Sequence, residues 1–303
     1  MANTRIPIII VHTGDSFYLS PVLKQMRLFN PHSDIFLISD ASTKGYTDVT
    51  HVDIEQYMEE ALEFEKRYIH LSSNPYFYEL ICFQRWFIIL NFVRKNNIND
   101  FLCMDSDVLL YCNVDETFAN YIGCDYTICN KVGPGCSLFN IRSLEKFCNY
   151  INYLYTDESS KKELNDFYQP FITENRPGGF CDMMVFSWYQ ERMSPNVIDL
   201  VFPNEGVCFD GCITESAGFK MKNGLKEIYW KDNRPYGKLL KDDSLIRLNC
   251  LHFQGRTKYS MYKYLLNEKK ERKTGLLVAL QWFFSKRVMS ARLKAIKKRL
   301  IKS

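Results

Sequence analysis

The most informative stretch of the sequence reads FLCMDSDVLLY and spans residues 101–111 of a 303-residue chain. An apolar run leads directly into Asp105, Ser106 and Asp107, and a second apolar run follows them. Short apolar runs of this kind are typical of strands that are buried on both faces. Unpartnered carboxylates are costly to bury between two such strands. The stretch therefore predicts a buried strand that ends at an acidic site.

The chain before this stretch alternates between short apolar runs and longer segments with helical periodicity. Strands are predicted at residues 8–11 and 35–38, and helices at residues 16–28 and 78–94. This alternation is typical of an α/β fold, in which a mostly parallel, Rossmann-like sheet is flanked by helices.

Polar residues follow each of the three predicted strands. His12 and Thr13 come after the first strand, Asp40 after the second, and Asp105 and Asp107 after the third. Ligands of open α/β sheets bind beyond the carboxyl ends of the strands. We therefore expect these side chains to converge on one ligand-binding edge of the sheet.

The region between residues 112 and 261 is less regular. It contains no internal repeat and no low-complexity linker, so residues 1–261 are predicted to form one domain. The pattern predicts strands at residues 125–129, 136–141, 200–202, 206–209 and 249–253, helices at residues 143–155 and 180–189, and a polar loop at residues 156–178.

The carboxylates of Asp105 and Asp107 are separated by one residue, so both can turn toward the same cleft. Together they offer several hard oxygen ligands, which suit Mn²⁺ or Mg²⁺. A metal held this way completes its coordination shell with phosphate oxygens of a substrate. The alternative is a solvated acidic turn, because an Asp-x-Asp pattern on its own occurs often by chance.

A second motif reads HFQGRTK and spans residues 252–258. His252 ends the last predicted strand, Gly255 permits close approach of the backbone, and Lys258 follows three residues later. Neutral imidazole is a common metal ligand, and an ammonium group binds phosphate as a point charge. His252 alone would indicate a core histidine beside a surface loop, whereas the joint pattern favours a site for metal and phosphate.

The pairing of Asp-x-Asp with a late His-x-x-Gly-x-x-Lys resembles the nucleotide-sugar-dependent glycosyltransferases of the GT-A fold. It is most similar to the glycogenin and lipopolysaccharide galactosyltransferase group, and the resemblance covers residues 6–265. It implies a metal-dependent enzyme that transfers a sugar from a nucleotide donor to a glycan or glycolipid acceptor. UDP is the usual nucleotide of the family, and assembly of surface polysaccharide or lipopolysaccharide is the implied setting.

The resemblance also implies roles for the residues of both motifs. Asp105, Asp107 and His252 would hold Mn²⁺ (or Mg²⁺), and the metal would bridge the donor diphosphate. Gly255 and Lys258 would contact the phosphates. Lewis-acid stabilisation of the departing diphosphate would be the role of the metal, and Lys258 would share the developing charge.

Residues at the other strand ends would bind the nucleotide. His12 and Thr13 match contacts to the base and ribose, and Asp40 and Ser106 belong to the neighbouring polar clusters. Two departures from the family pattern leave inverting or retaining stereochemistry open. Residues 259–260 are Tyr-Ser where the family often has Pro-Trp, and the first strand lacks the Asn-Tyr common in the glycogenin group.

Asp182 is the candidate for a catalytic residue at the sugar. It follows a Gly-Gly pair and opens an apolar helix, a place where this fold commonly supplies an acidic residue facing the acceptor. If the enzyme inverts, Asp182 would be the general base on the acceptor hydroxyl. If it retains, Asp182 would orient the substrate or stabilise the oxocarbenium-like centre. The alternative is a helix N-cap.

Arg85 is a charge within an otherwise apolar predicted helix. A similar Arg in the family reaches toward the donor or braces the metal carboxylates, and the alternative is a buried structural ion pair. The loop at residues 130–135 and Asn140 are weaker candidates for the sugar pocket. Glu205 and Asp210 are further acidic candidates near chance level.

Eleven cysteines make up a small and odd-numbered share of the chain, and no CxxC pair occurs. This usage favours reduced thiols in a cytoplasmic protein over a disulfide scaffold. The apolar N-terminal stretch is too short for a signal-peptide core. No stretch reaches the length of about 18 apolar residues that indicates a membrane span.

The charge of the chain is divided unevenly. Residues 262–303 hold thirteen Lys and Arg against two Glu, a net charge of +11, while residues 1–261 carry −7. The tail pattern predicts a basic amphipathic helical extension that binds an anionic membrane surface, at the inner face of the membrane. The alternatives are a helix packed on the domain and, less favoured, binding of nucleic acid.

Two other functions compete with the glycosyltransferase. A sugar-phosphate nucleotidyltransferase uses a similar fold and similar acidic ligands, but such enzymes usually carry a Gly-rich, basic signature after the first strand. Here the chain has no basic residue between residue 12 and Lys24. A non-catalytic, membrane-docked, glycan-binding scaffold is disfavoured by the joint presence of both motifs.

Overall fold

The computed structural model describes residues 5–266. The predicted basic extension, apart from residues 262–266, lies outside the described residues. None of the described helices is long and apolar enough to cross a membrane.

The described chain alternates between helices and strands in its first half and is richer in short strands in its second half. The helices are α1 (Leu19–Phe29), α2 (Glu59–Glu65), α3 (Tyr76–Lys95), α4 (Val114–Phe118), α5 (Ile141–Thr156), α6 (Glu158–Thr173) and α7 (Asp182–Met193). The strands up to residue 199 are β1 (Ile8–His12), β2 (Ile35–Ser39), β3 (Thr50–Asp53), β4 (Asp100–Met104), β5 (Val108–Leu110), β6 (Tyr126–Ile128), β7 (Cys136–Asn140) and β8 (Val197–Asp199). The later strands are β9 (Val207–Cys208), β10 (Met221–Lys222), β11 (Leu225–Lys226), β12 (Ile228–Lys231), β13 (Arg234–Lys238), β14 (Leu245–Leu248) and β15 (Cys250–His252).

Seven of these strands form a central sheet in the order β3-β2-β1-β4-β7-β6-β8. Strand β1 pairs in parallel with β2 and β4, β2 with β3, and β6 with β8. Only β7 runs antiparallel to its neighbours β4 and β6. The mostly parallel α/β sheet predicted from the sequence is confirmed.

Helices cover both faces of this sheet, because alternate residues of each strand point to opposite sides. Ile8 and Ile10 pack in one buried cluster with the apolar side of α1. Ile9 and Phe101 pack in a second cluster with α3, α5 and α7. The two clusters fix the sheet between its helices, so the ends of β1 and β4 are held rigidly.

A separate two-stranded pairing brings the two sequence motifs together. Strand β5, which begins immediately after Asp107, runs antiparallel to β15, and His252 lies opposite Val108 in this ladder. The backbone N–H of Phe253 also donates to the carbonyl of Asp107 at 3.0 Å. Residues separated by about 145 positions therefore meet at one edge of the sheet.

Two sequence predictions are wrong. Residues 156–178 are not a loop, because α6 occupies most of them; Asp157 accepts the backbone N–H of Ser160 and so caps the helix, and Leu164 is buried. A helix with one narrow buried face is polar enough to resemble a loop. The strand predicted at residues 200–202 lies earlier, in β8, since Asp199 accepts the N–H of Val201 and turns the chain.

Candidate metal and substrate site

A cavity of about 430 Å³ opens at the carboxyl ends of β1 and β4. Cavities of this size suit a small ligand. Nearly all the residues predicted for the site line it, in agreement with the expectation that polar strand ends converge. They are His12, Thr13, Arg85, Asp105, Ser106, Asp107, Asp182, His252, Gly255 and Lys258.

The three candidate metal ligands lie at the floor of this cavity. One ligand atom each from Asp105, Asp107 and His252 falls within 4.8 Å of the other two. The Nε2 atom of His252 is 3.3 Å from Oδ1 of Asp107 and 3.9 Å from Oδ2 of Asp105. Two carboxylates and one imidazole at this spacing are a donor set for a divalent transition metal.

The local structure fits a metal in two further respects. The Nδ1 atom of His252 lies 2.9 Å from the carbonyl oxygen of Gly211, which can accept its proton and leave Nε2 to face the carboxylates. Gly135 is the second: a Cβ there would lie 2.7 Å from Cε1 of His252 and 3.3 Å from Oδ2 of Asp105. The carbonyl of Gly135 accepts the N–H of Asp105 at 2.8 Å, so this glycine both fixes the acidic turn and leaves room beside it.

Charge pairing dominates the electrostatics of the triad. Burial lowers the pKa of His252, but its hydrogen bond to Asp107 and the Asp107 charge raise that pKa to about 10. Burial works to raise the pKa of Asp107, and the hydrogen bond and charge of His252, with the charge of Lys258, lower it to about 2. Without a metal, the positive charges of His252 and Lys258 therefore both stabilise the ionised carboxylate of Asp107.

Lys258 reaches the cavity from the 3₁₀ segment Gly255–Tyr264. Its Nζ atom lies 2.9 Å from Oδ2 of Asp107 and 5.0 Å from the ring centre of Tyr18. Burial lowers its pKa, but the nearby Asp107 charge raises it well above the usual value. Lys258 is therefore a cation held in the cavity beside Asp107, a candidate metal ligand.

Arg85 connects Asp105, a candidate metal ligand, to Asp182. Its Nη1 atom lies 2.5 Å from Oδ1 of Asp105, and its Nη2 atom lies 2.7 Å from Oδ2 of Asp182. Burial lowers the pKa of Arg85, and the two carboxylates raise it well above its ordinary value. The ion-pair interpretation of Arg85 is therefore present in the structure, and the same contact orients the carboxylate of Asp105, a candidate metal ligand.

Asp182 is the first residue of α7 and is almost fully buried. Besides Arg85, the indole Nε1 of Trp86 donates to its Oδ2 atom at 3.2 Å. Cys181 holds the N-cap position, so Asp182 is not the N-cap that the alternative interpretation required. Asp182 lines the cavity, and its carboxylate is held in place by two hydrogen-bond donors of α3, Arg85 and Trp86.

The strand-end residues of β1 form another part of the lining. His12 Nδ1 lies 2.9 Å from Oγ of Ser106, and its buried Nε2 has no hydrogen-bond partner within the described residues. Burial lowers the pKa of His12, and the Lys258 charge lowers it further. Thr13 is exposed beside it. Gly255 adopts a positive φ of 58°, which starts the turn toward Lys258.

The weaker candidates Asn140, Glu205 and Asp210 do not line the cavity. Among the residues predicted to bind metal or donor, Asp40 is the one that lies outside the cavity lining. Its Oδ2 accepts the N–H of Gly14 at 2.6 Å, and its Oδ1 accepts the N–H of Ser42 at 2.8 Å. It caps the short 3₁₀ turn Ala41–Thr43 and orders the loop after β1. The position of Asp40 at a strand end correctly predicted that it lies at this edge of the sheet. Its carboxylate is occupied by hydrogen bonds that cap the local turn, so it does not face the cavity.

Sequence reasoning missed one wall of the cavity. It is lined by Asn74, which precedes α3, and by Tyr78, Glu79 and Cys82 in the first two turns of that helix. Glu79 is buried, and its Oε2 accepts hydrogen bonds from Ser72 and Asn74.

This wall is held against α7 by a backbone clasp. Ser72 and Gly179 form an isolated β-bridge, and the N–H of Phe180 donates to Leu71 at 2.7 Å. A Cβ at Gly179 would lie 2.2 Å from the Leu71 carbonyl oxygen, so the approach needs glycine. The Gly-Gly pair before Asp182 was the available sequence signal for such a close approach.

The chain matches no protein-family model and no curated protein sequence. Among solved structures it is similar to the apo form of mouse xyloside xylosyltransferase 1, with 13% identity and a TM-score of 0.43 over 65% of this chain and 85% of that one. It is similar to the apo glycosyltransferase GlyE of Streptococcus pneumoniae TIGR4, with 13% identity and a TM-score of 0.42 over 93% and 64%. A cytidylyltransferase from Leptospira borgpetersenii is a further match, with 10% identity and a TM-score of 0.33 over 67% and 77%. All three scores lie below 0.5, so the activity is argued from the site itself.

Proposed function

We propose that this protein is a metal-dependent glycosyltransferase that uses a nucleotide-sugar donor. The observation that carries the proposal is the Asp105–Asp107–His252 cluster, with Lys258 beside it, at the strand-end edge of an α/β sheet. A divalent metal there would supply Lewis-acid stabilisation of a diphosphate leaving group. The imidazole ligand favours Mn²⁺ over Mg²⁺, which prefers oxygen ligands.

Lys258 is the residue suited to the leaving group. Its ammonium lies in the cavity within 2.9 Å of Asp107, so it can share the negative charge that develops on a departing diphosphate. His12, Thr13 and Ser106 line the neighbouring strand ends and are the proposed contacts for the nucleoside.

Asp182 is the proposed group at the sugar and acceptor. Arg85 and Trp86 bind one of its oxygens and orient the carboxylate toward the cavity. In an inverting reaction it would take the proton of the acceptor hydroxyl, and in a retaining reaction it would orient the substrate or stabilise positive charge at the sugar. The anomer of the product shows which of the two reactions takes place.

The proposed donor is a UDP-sugar, and the proposed acceptor is a glycan or a glycolipid of a surface polysaccharide or lipopolysaccharide. The support is the motif pair of residues 105–107 and 252–258 and its resemblance to that family of transferases. The proposed catalytic domain is residues 1–261.

The proposal is tested by a screen of nucleotide sugars for hydrolysis, with Mn²⁺, with Mg²⁺ and with EDTA. We expect turnover of at least one donor with Mn²⁺, and its loss in EDTA. NMR of the released sugar then gives the anomer. Equal rates with metal and with EDTA would remove the metal from the reaction and with it this proposal.

A nucleotidyltransferase is the competing function, and the cavity lining disfavours it. The end of β1 and the segment after it contribute Val11, His12, Thr13, Ser16 and Tyr18 to the cavity lining, with no Lys or Arg among them. Incubation with a nucleoside triphosphate and a sugar 1-phosphate distinguishes the two, because only a nucleotidyltransferase releases pyrophosphate.

We further propose that residues 262–303 bind an anionic membrane surface and bring the domain to a lipid-linked acceptor. The support is the net charge of +11 in this segment together with an aromatic and aliphatic insert at residues 276–284. Deletion of residues 276–303 should abolish flotation with vesicles that contain phosphatidylglycerol and should leave hydrolysis of the donor unchanged. Unchanged flotation would reject the membrane role.

A further inference from the structure

His252 is supported from behind by a buried Lys–Asp pair that the proposed chemistry does not use. Nζ of Lys226 lies 2.6 Å from Oδ1 of Asp210, and their side chains are 1% and 0% exposed. No solvent reaches this pair, and it does not line the cavity. Burial of an ion pair carries a large desolvation cost, so the presence of this pair inside the protein calls for a structural or functional reason.

The pair is connected to His252 through the short segment of residues 210–212. Oδ2 of Asp210 accepts the backbone N–H of His252 at 3.0 Å. The carbonyl oxygen of Gly211 lies 2.9 Å from Nδ1 of the same histidine. Nζ of Lys226 also donates to the carbonyl of Cys212 at 2.6 Å. The ammonium of Lys226 thus binds Asp210 and Cys212, the two neighbours of Gly211, and the carbonyl of Gly211 orients the imidazole of His252.

The backbone places Lys226 where it can make these bonds. Ile213 N–H donates to the carbonyl of His252 at 2.9 Å, and Lys226 N–H donates to the carbonyl of Ile213 at 2.8 Å. Strand β11 carries Lys226 and pairs antiparallel with β10. The two strands are joined by a tight turn at Asn223 and Gly224, both of which have a positive φ. Residues 210–213 therefore lie between β15 and β11, and the Lys226 side chain closes the layer.

We propose that Lys226, acting through Asp210 and Gly211, is a positioning residue that fixes the tautomer and ring orientation of His252 for metal binding. This inference rests on the metal site of the proposed function. An ammonium has three donors, which suffice for a carboxylate and a carbonyl together. An apolar side chain would fill the space but leave Asp210 without a counter-ion and the Cys212 carbonyl without a donor.

The experiment measures Mn²⁺ binding by electron paramagnetic resonance, because this readout does not depend on turnover. Full-length protein is titrated with Mn²⁺ at pH 7.5, and pulsed spectra record the coupling of the ¹⁴N of His252 to the metal. The variant His252→Gln supplies the reference spectrum that lacks coupling to an imidazole nitrogen. The test variants are Lys226→Met and Asp210→Asn. The matched control is Lys220→Met, since Lys220 pairs with Asp243 at 2.5 Å in the same β-rich region but on the exposed surface.

We expect Lys226→Met and Asp210→Asn each to raise the Kd for Mn²⁺ by about tenfold to 100-fold, the range found for residues that orient metal ligands, and to weaken the ¹⁴N coupling. Lys220→Met should bind Mn²⁺ as the parent does. If Lys226→Met does not fold, Asp210→Asn, which has nearly the same shape, decides by the same criterion. A Kd within twofold of the parent and an intact ¹⁴N coupling in the folded variants would overturn the inference.

The same titration separates this inference from the proposed function. A parent that binds Mn²⁺ with ¹⁴N coupling but hydrolyses no nucleotide sugar would refute the function and leave the role of Lys226 standing. A parent that gives no bound Mn²⁺ signal would overturn both.

Discussion

Two Lys–Asp pairs lie on opposite sides of His252, and they differ in almost every physical property. Lys258 and Asp107 are 2.9 Å apart, and their side chains are 26% and 12% exposed at the cavity wall. Lys226 and Asp210 are 2.6 Å apart and have almost no exposure. The first pair faces the space for a ligand, whereas the second faces only protein.

The difference suggests a division between chemistry and support. A partly solvated ammonium can exchange one anionic partner for another at modest cost, as phosphate binding requires. A buried ammonium cannot lose its partner without leaving an uncompensated charge. We therefore expect substitutions in the Lys258–Asp107 pair to change the rate of turnover. Substitutions in the Lys226–Asp210 pair should change the stability of the structure around His252.

The largest predicted effect is on stability. Lys226→Met should lower the free energy of unfolding by about 3–5 kcal/mol, because Asp210 is left as an unpaired buried charge. Lys258→Met should lower it by less, about 1 kcal/mol, because Lys258 is partly exposed and His252 still pairs with Asp107. Urea unfolding followed by circular dichroism measures both values. Equal losses for the two variants would remove the distinction between the pairs.

The next effect is on catalysis at the two aspartates. Asp107→Asn removes a proposed metal ligand and should lower kcat/KM for nucleotide-sugar hydrolysis by about 100-fold or more, since metal stabilisation of the leaving group is worth several kcal/mol. Asp210→Asn should have a smaller effect because it acts only through His252. Asp243→Asn, at an exposed pair, is the control and should match the parent. A larger loss for Asp210→Asn than for Asp107→Asn would reverse the proposed roles.

A smaller effect is expected at the cavity lysine. Lys258→Gln keeps a hydrogen-bond donor but removes the charge, and kcat should fall by about tenfold to 100-fold, in line with the loss of one group that stabilises developing negative charge. Lys263→Gln, in the same 3₁₀ segment and exposed, should turn over like the parent. If kcat of Lys258→Gln equals that of the parent, the ammonium takes no part in departure of the diphosphate.

The last effect, about tenfold for each pH unit, is a pH dependence of metal affinity. The pKa of His252 is raised to about 10 in the metal-free protein, so the imidazole is protonated at neutral pH and must lose its proton to ligate a metal. Mn²⁺ affinity should therefore rise by about tenfold for each pH unit from 6 to 8, with one proton released per metal. Calorimetry in buffers of different ionisation enthalpy counts the protons. A Kd that does not change with pH would contradict the loss of a proton from His252 on metal binding.

The sequence-derived account of the fold succeeded where a pattern is local. Strands β1, β2 and β4 are short apolar runs, and the polar ends of β1 and β4 met in the cavity as expected. Asp40, at the end of β2, caps a local turn instead. It failed at α6, because a helix with one narrow buried face carries little apolar signal. It could not predict the antiparallel β7, since strand direction depends on pairing between distant segments.

The candidate site shows the same limit. Residues in motifs, such as Asp105 and His252, were predictable because chemistry and spacing coincide in the sequence. Glu79 lines the cavity beside the clasp between Ser72 and Gly179, a contact for which the Gly-Gly pair was the one local signal in the sequence. Lys226 lies in a lysine-rich stretch typical of a surface, and only its pairing with Asp210 buries it.

The most direct test of the central claim is anomalous diffraction from a crystal of the protein grown with Mn²⁺ and UDP. The account predicts one manganese peak bonded to Asp105, Asp107 and His252, with the diphosphate of UDP on the metal and Lys258 in contact with it. A manganese peak that lies elsewhere, or a diphosphate that binds away from these residues, would contradict the account.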